Sequence, residues 1–266
     1  MGKAPRSVTY AEYLDLDRIL GAQHPRSDAH DEMVFIIIHQ ASELWMKLCL
    51  HELAAARARI AADDLAPAFK MLSRVARAQT LLIQSWDVLA TMTPADYSAV
   101  RPHLGTSSGF QSWQYRMLEA MMGHRKAGHL KSFEDDPAAR AALAAEQARP
   151  SIYDEAVRLL ARRGFAIPPA RLARDPLAAP EPCPEVEAAW AAIYRAPARY
   201  WDLYELAEKL VDLEYHVQRW RFGHLKTVER IIGFKPGTGG TAGVPYLKGV
   251  LAQAFFPELL SVRTAL

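Results

Sequence analysis

The sequence predicts an all-α fold, and three observations predict it. Nearly every periodic segment repeats its apolar residues at three- and four-residue spacing. No run alternates apolar and polar residues between Asn-Gly or Asp-Gly turns, as paired strands would. Finally, Leu206, Leu210, Leu213, Val217, Trp220, His224, Val228 and Ile231 keep one helical stripe without a break. With 266 residues, half of them apolar, the chain can bury one sizeable core or two modest ones. We read it as a single all-α domain over residues 1–266.

Tyr10, Tyr13, Leu14 and Asp17 describe a short first helix whose aromatic side is too small to make a core, so it must dock on something. A second helix is expected after Ser27 and Asp28 as N-caps, with Asp31 and Glu32 at its positive end, running to about Arg59. Its stripe Ile37, Ala41, Leu44, Leu48 and its stripe Phe35, His39, Ser42, Met46, Cys49, Leu53 are both mainly apolar, which predicts a central helix covered on two sides. Helical spacing continues from Leu65 to Met92. Thr93-Pro94 then supplies an N-cap with proline at the first helical position, starting a short helix that ends before Pro102. GTSSGF reads as a loop, QSWQYRMLEAMMG as helix, and the alanine-rich residues 137–149 as an exposed helix. Six prolines between Phe165 and Glu187 argue against regular helix there and make 165–187 a surface excursion. The last long helix stops at Gly233. A loop with five glycines, GFKPGTGGTAGVPY, follows it, and a final helix spans about Tyr246 to Ala254.

Lysine and arginine (32) nearly balance aspartate and glutamate (30) and are scattered, so nothing asks for nucleic acid or an anionic membrane. No stretch approaches the ~18 apolar residues of a membrane span, and the N-terminus lacks the apolar core of a signal peptide. The chain reads as cytoplasmic. Cys49 and Cys183 make no CxxC pair, so neither a disulfide nor zinc is expected.

The candidate chemistry centres on two histidines that fall on apolar stripes, His39 and His224. For His224, a core ring donating to a carbonyl and a metal-ligating ring are both open. The adjacent Gly223 costs a helix about 1 kcal/mol relative to alanine and suggests something bulky against the backbone, such as a macrocycle held by a proximal imidazole. His39 has Phe35 one turn before it, an aromatic wall beside a hydrogen-bonding ring, as in a pocket for an aromatic ligand with one polar edge; its alternative is a bond to Ser42 or a carbonyl. Tyr97 and Arg101 share a face at four-residue spacing and read either as a carboxylate clamp or as an arginine at a helix C-terminus. The loop around Thr238 lacks the Gly-Lys-Ser/Thr and the strand of a phosphate loop, leaving a flexible connector or a lid. No histidine has a glutamate three residues before it and no Gly-x-Ser-x-Gly elbow occurs, which disfavours di-iron and serine-hydrolase chemistry.

TYAEYL, HDEMVFIIIHQASELWMKL, SSGFQSWQYR, WRFGH and GFKPGTGGTAGVPYL together resemble the bacterial tryptophan 2,3-dioxygenase family, from about Tyr10 to the C-terminal FFPELLSVRT. The resemblance implies an all-α bundle that holds one b-type haem per subunit, active in the ferrous form, and assembles as a homotetramer. It implies insertion of dioxygen across the indole C2–C3 bond of L-tryptophan, giving N-formyl-L-kynurenine and opening the kynurenine route of tryptophan breakdown. By position, His224 corresponds to the iron ligand, His39 to the distal histidine that meets the indole N–H, Arg101 to the partner of the substrate carboxylate, with Tyr97 beside it, and Thr238 to a substrate contact on the loop. Phe35 corresponds to the indole wall, and Trp86, Leu104, Ser108, Tyr115, Arg116 and Val228 to haem surroundings. Tyr10, Tyr13 and Leu14 correspond to an N-terminal segment, residues 1–22, that reaches the neighbouring subunit's pocket. The rival readings are a haem-binding sensor or carrier on the same bundle and a metal-free bundle for an apolar ligand.

Overall fold

The computed structural model describes residues 7–178 and 181–266, and among the described residues all regular structure is helical. In chain order the helices are α1 (Tyr10–Leu14), α2 (Leu16–Leu20), α3 (Glu32–Ala61), α4 (Leu65–Leu89), α5 (Pro94–Val100), α6 (Trp113–Met122) and α7 (Pro137–Gln147). They continue with α8 (Ile152–Arg162), α9 (Pro169–Leu172), α10 (Pro184–Arg195), α11 (Trp201–Ile232), α12 (Val244–Leu251) and α13 (Pro257–Ser261).

Helix α4 lies between α3 and α11, and these three long helices form the frame; α6 and α8 lean on α3, and α12 leans on α11. Leu53 and Ile60 of α3, Leu72 and Val75 of α4, Leu159 of α8, Trp190 of α10 and Leu206 of α11 meet in the main core. Each such side chain taken from water contributes about 1.5–3 kcal/mol, more than the few tenths that helix propensity separates ordinary residues. A second, smaller core of Leu89, Met92, Val100 and Ile231 joins α4, α5 and α11 at the end of the frame where the site lies. The unbroken stripe of α11 explains its 32 residues, and it stops at Gly233, which has a left-handed φ of 62°. Thr93 caps α5 through a reciprocal pair with Asp96, with Pro94 at the first position as expected.

Several expectations change. The N-terminal segment forms two helices instead of one, because Asp15 between them adopts a left-handed φ of 51°. Ser27 does not cap α3; its backbone N–H and hydroxyl, with the Arg26 N–H, donate to the Glu32 carboxylate and fold the preceding loop onto the start of that helix. The two-sided burial of α3 fails on one side: Ile37 is 46% and Leu44 53% exposed. Residues 137–149 are not an exposed helix throughout, since Ala139 and Leu143 of α7 are buried against Ala120 and Phe133. The excursion 165–187 admits helix where proline falls at its start, in α9 and at Pro184 of α10. The final helix ends at Leu251, and α13 follows it. Helix α3 is also long and apolar enough, by length and composition, to cross a membrane, correcting the expectation that no stretch approaches this. It packs instead against α4, α6 and α8 and carries polar residues of the site.

Candidate functional site

Helices α3, α4, α5, α6, α11 and α12 enclose a cavity of about 710 Å³, bounded also by the segment before α6 and by the glycine-rich loop after α11. His224 enters it from α11 and His39 from α3. The His224 ring stacks nearly parallel on Trp86, with centroids 4.8 Å apart, and has Trp220 at 5.8 Å and Phe110 at 6.5 Å. It makes no hydrogen bond to any described residue. Burial, with a contribution from His39, pushes its pKa down to about 4, so at neutral pH it is an uncharged imidazole with a free lone pair. Gly223 has a cause other than a macrocycle against the backbone: a Cβ there would lie 2.6 Å from Trp86 Cδ1, so the glycine makes room for the indole that stacks on His224.

His39 is oriented by its own helix. Its Nδ1 lies 2.7 Å from the Phe35 carbonyl, and because a carbonyl only accepts, that nitrogen carries the proton and Nε2 keeps the lone pair. Burial pushes the ring below the usual imidazole range, against the opposing pull of the Phe35 carbonyl and Glu43, so the acceptor form persists at neutral pH. The Phe35 ring packs 4.3 Å from His39 and 6.1 Å from Tyr97, which gives this part of the wall an aromatic surface beside one acceptor nitrogen.

Leu104, Ser108 and Val228 also line the cavity, as do Tyr115 and Arg116. Behind the last two lies a buried ionic cluster. Arg116 Nη1 donates to Glu119 (2.6 Å), Arg221 Nη2 donates to the other Glu119 oxygen (2.9 Å), and Arg221 Nε donates to the Tyr115 hydroxyl (3.2 Å). Burial alone would push the Glu119 carboxyl up; His124 and the two guanidiniums outweigh it and hold the group well below the carboxylate range. Glu119 and Arg221 escaped the sequence reading. Their signals were there, Glu119 one turn beyond Arg116 and Arg221 one turn before His224.

The loop closes the other side. Thr238, on the cavity wall, donates its hydroxyl to the Ser107 carbonyl at 2.6 Å. A Cβ on Gly239 would fall 2.7 Å from both Cβ and Oγ of Ser108, so glycine permits this approach. Arg101 does not line the cavity: its Nη2 donates to the Pro236 carbonyl of the loop at 2.8 Å, while Nη1 is buried with no hydrogen-bond partner among the described residues. Tyr97 does line it, and burial raises its phenol while the Arg101 charge opposes that shift. Tyr10 and Tyr13 are 76% and 81% exposed, and neither they nor Leu14 reach this cavity.

A haem fits these residues. The cavity offers an uncharged imidazole without a hydrogen bond, flat aromatic neighbours, the Arg116 guanidinium on the wall for acidic side chains, and a buried Trp86 Nε1 donor with no partner among the described residues.

A family model described as "Tryptophan 2,3-dioxygenase" matches residues 2–164 and 187–266. The chain is similar to the tryptophan 2,3-dioxygenase of Erythrobacter litoralis (strain HTCC2594), with 72% identity over 261 residues, 98% of this chain and 99% of the relative. It is also similar to the proteins of that name from Burkholderia pseudomallei (strain K96243) and Burkholderia mallei (strain NCTC 10229), each 58% identical over 98% of this chain and 85% of the relative. With the matched residues spanning all three long cavity helices, the chain belongs to the tryptophan 2,3-dioxygenase family.

Proposed function

We propose that this chain is a haem-dependent dioxygenase that inserts O2 across the indole C2–C3 bond of L-tryptophan, giving N-formyl-L-kynurenine, the first step of tryptophan degradation by the kynurenine route. The observation that carries the reading is the pairing of His224 and His39 in one cavity, one ring without a hydrogen bond and the other with its proton fixed on Nδ1.

His224 would hold the iron of a b-type haem, and Trp86, Leu104, Ser108, Tyr115, Arg116 and Val228 would surround it. When bound, the ferrous haem supplies the activation of dioxygen. His39 accepts the indole N–H at Nε2 and orients the ring, with Phe35 packed against it. Arg101 pairs with the substrate carboxylate through its unpartnered Nη1, which requires the guanidinium to turn from under the loop toward the cavity. The Thr238 hydroxyl gives its proton to Ser107 and so keeps only acceptor sites for the substrate, suited to an ammonium group, while Tyr97 flanks the guanidinium. Closing the loop excludes water from the reacting face.

We further propose a homotetramer in which residues 1–22 of one subunit contact its neighbour's pocket. The exposed Tyr10 and Tyr13, and the exposed α3 stripe carrying Ile37 and Leu44, support an apolar face covered by another copy. The balance of charge fits a cytoplasmic enzyme of small substrates, without nucleic acid or membrane as partners.

The test is one cuvette. Purified protein should show a Soret band and, with L-tryptophan and a reductant in air, the growing absorbance of formylkynurenine. A Soret band without product would favour a sensor or carrier, and no Soret band a metal-free ligand-binding bundle.

A further inference from the structure

Away from the cavity, three guanidiniums converge on one carboxylate. Asp154, in the first turn of α8, lies 3.6 Å from Arg125 Nη1, 3.4 Å from Arg171 Nη1 and 2.9 Å from Arg174 Nη2. These arginine side chains are only 1%, 10% and 16% exposed. No other carboxylate among the described residues stands within ion-pair distance of them: Glu155 is taken by Arg158, and Glu146 by Arg57 and Arg149. Asp154 also serves the helix, since its Oδ2 accepts from both the backbone N–H and the hydroxyl of Ser151 at 2.8 Å. Three enclosed positive charges therefore share one negative charge, and enclosed charge of one sign is costly unless it is paired. Burial pushes the Arg125 guanidinium below its usual value; Asp154 pulls the other way and Arg174 adds to the shift.

Two donors of the cluster are unused. Arg125 Nη2 and Arg171 Nε are buried with no hydrogen-bond partner among the described residues. Asp154, Arg158, Arg171 and Arg174, with the apolar Leu172 and Pro176, border a void of about 10 Å³. Because this is the space open to the centre of a water-sized sphere, a single sphere somewhat larger than water also fits, whereas a tetrahedral oxyanion does not. Arg171 and Arg174 lie between residues 164 and 187, outside the part of the chain that the family model matches.

We propose that this pocket binds a single monatomic anion of the chloride class, held by Arg171 and Arg174 beside Asp154. The anion offsets the surplus positive charge and fastens the proline-rich segment to α8. Arg125 extends the fastening to the turn after α6, because its Nε donates to the Ala120 carbonyl at 3.0 Å and its Nη1 to the Pro176 carbonyl at 3.3 Å.

Two measurements on the haem-loaded protein test this. Crystals grown without halide and soaked in bromide should show an anomalous peak beside the Arg171 and Arg174 guanidiniums. Thermal unfolding at fixed ionic strength should give a midpoint about 2–4 °C higher in chloride than in gluconate, a difference that Arg174→Gln abolishes while leaving tryptophan turnover unchanged. Absence of a bromide peak together with equal midpoints in the two salts overturns the site. Sulfate reproducing the chloride shift at the same ionic strength marks general screening of the guanidiniums and overturns it as well.

Discussion

The two sides of the cavity are held by different kinds of contact. Behind His224 stand stacked aromatic rings and, through Tyr115 and Arg116, a buried ionic cluster centred on Glu119. Around Arg101 and Thr238 the fastening consists of single hydrogen bonds to the backbone carbonyls of Pro236 and Ser107, in partly exposed surroundings. A cofactor that stays through many turnovers suits the first construction, because removing one partner of a buried ion pair costs about 3–5 kcal/mol. A substrate that enters and leaves suits the second, since a loop closed by a few bonds of about 0.5–1.5 kcal/mol each opens readily. His39 belongs between them: it sits on a long helix with its Nδ1 held by the Phe35 carbonyl, yet the role proposed for its free nitrogen is toward the substrate.

The sharpest way to break this division is His224→Ala. Turnover should fall to background, and full activity in that variant would remove the ligand assignment. Next comes Arg101→Leu, which should raise KM for L-tryptophan about 30-fold or more, by analogy with truncated buried charge pairs, with haem content unchanged. An unaltered KM would leave the orphaned Nη1 without its proposed partner.

A smaller effect is expected for His39→Ala, a loss of ~10- to 100-fold in kcat/KM, near the value of one hydrogen bond to the substrate. Because burial lowers the His39 pKa from its ordinary 6.5, the acceptor form is complete above that pH and is lost only as the pH falls through the lower folded value. The wild-type kcat/KM profile should therefore show no limb from His39 above pH 6.5, and the acid limb should change in the variant. Retained activity with 1-methyltryptophan would show that His39 need not act as a base.

Deleting residues 1–15 should raise KM severalfold in haem-replete protein, and a wild-type KM would dispose of the intersubunit contact. The finest contrast uses two glycines. Gly223→Ala drives a methyl group against Trp86 and should disturb the haem spectrum and lower the melting temperature by a few degrees, as overpacking does, whereas Gly239→Ala meets Ser108 and should raise KM at unchanged melting temperature. Identical phenotypes would blur the distinction between the two sides.

The sequence made some of this readable for physical reasons. Helix α11 was legible because its stripe never breaks, and α5 because Thr93, Pro94 and Asp96 spell out a cap. Helix α8 was passed over although Ser151 and Asp154 mark its start by the same rule, since its short amphipathic stretch follows an alanine-rich helix and precedes the prolines. The exposed face of α3 was illegible in principle: periodicity registers an apolar stripe without saying whether the same chain or another copy covers it. Gly223 could be noticed but not explained, because its cause is Trp86, which sits 137 positions earlier in the chain and meets it only in the fold. The grip of Arg101 on Pro236 was equally hidden, with 135 positions between the partners.

The most direct test of the division between cofactor wall and substrate wall is the Soret spectrum of His224→Ala and His39→Ala, purified in parallel with the wild type. His39→Ala should retain haem at wild-type stoichiometry, and His224→Ala should lose the band or retain a severely altered one. A normal Soret band in His224→Ala, with the band lost from His39→Ala, would contradict this division.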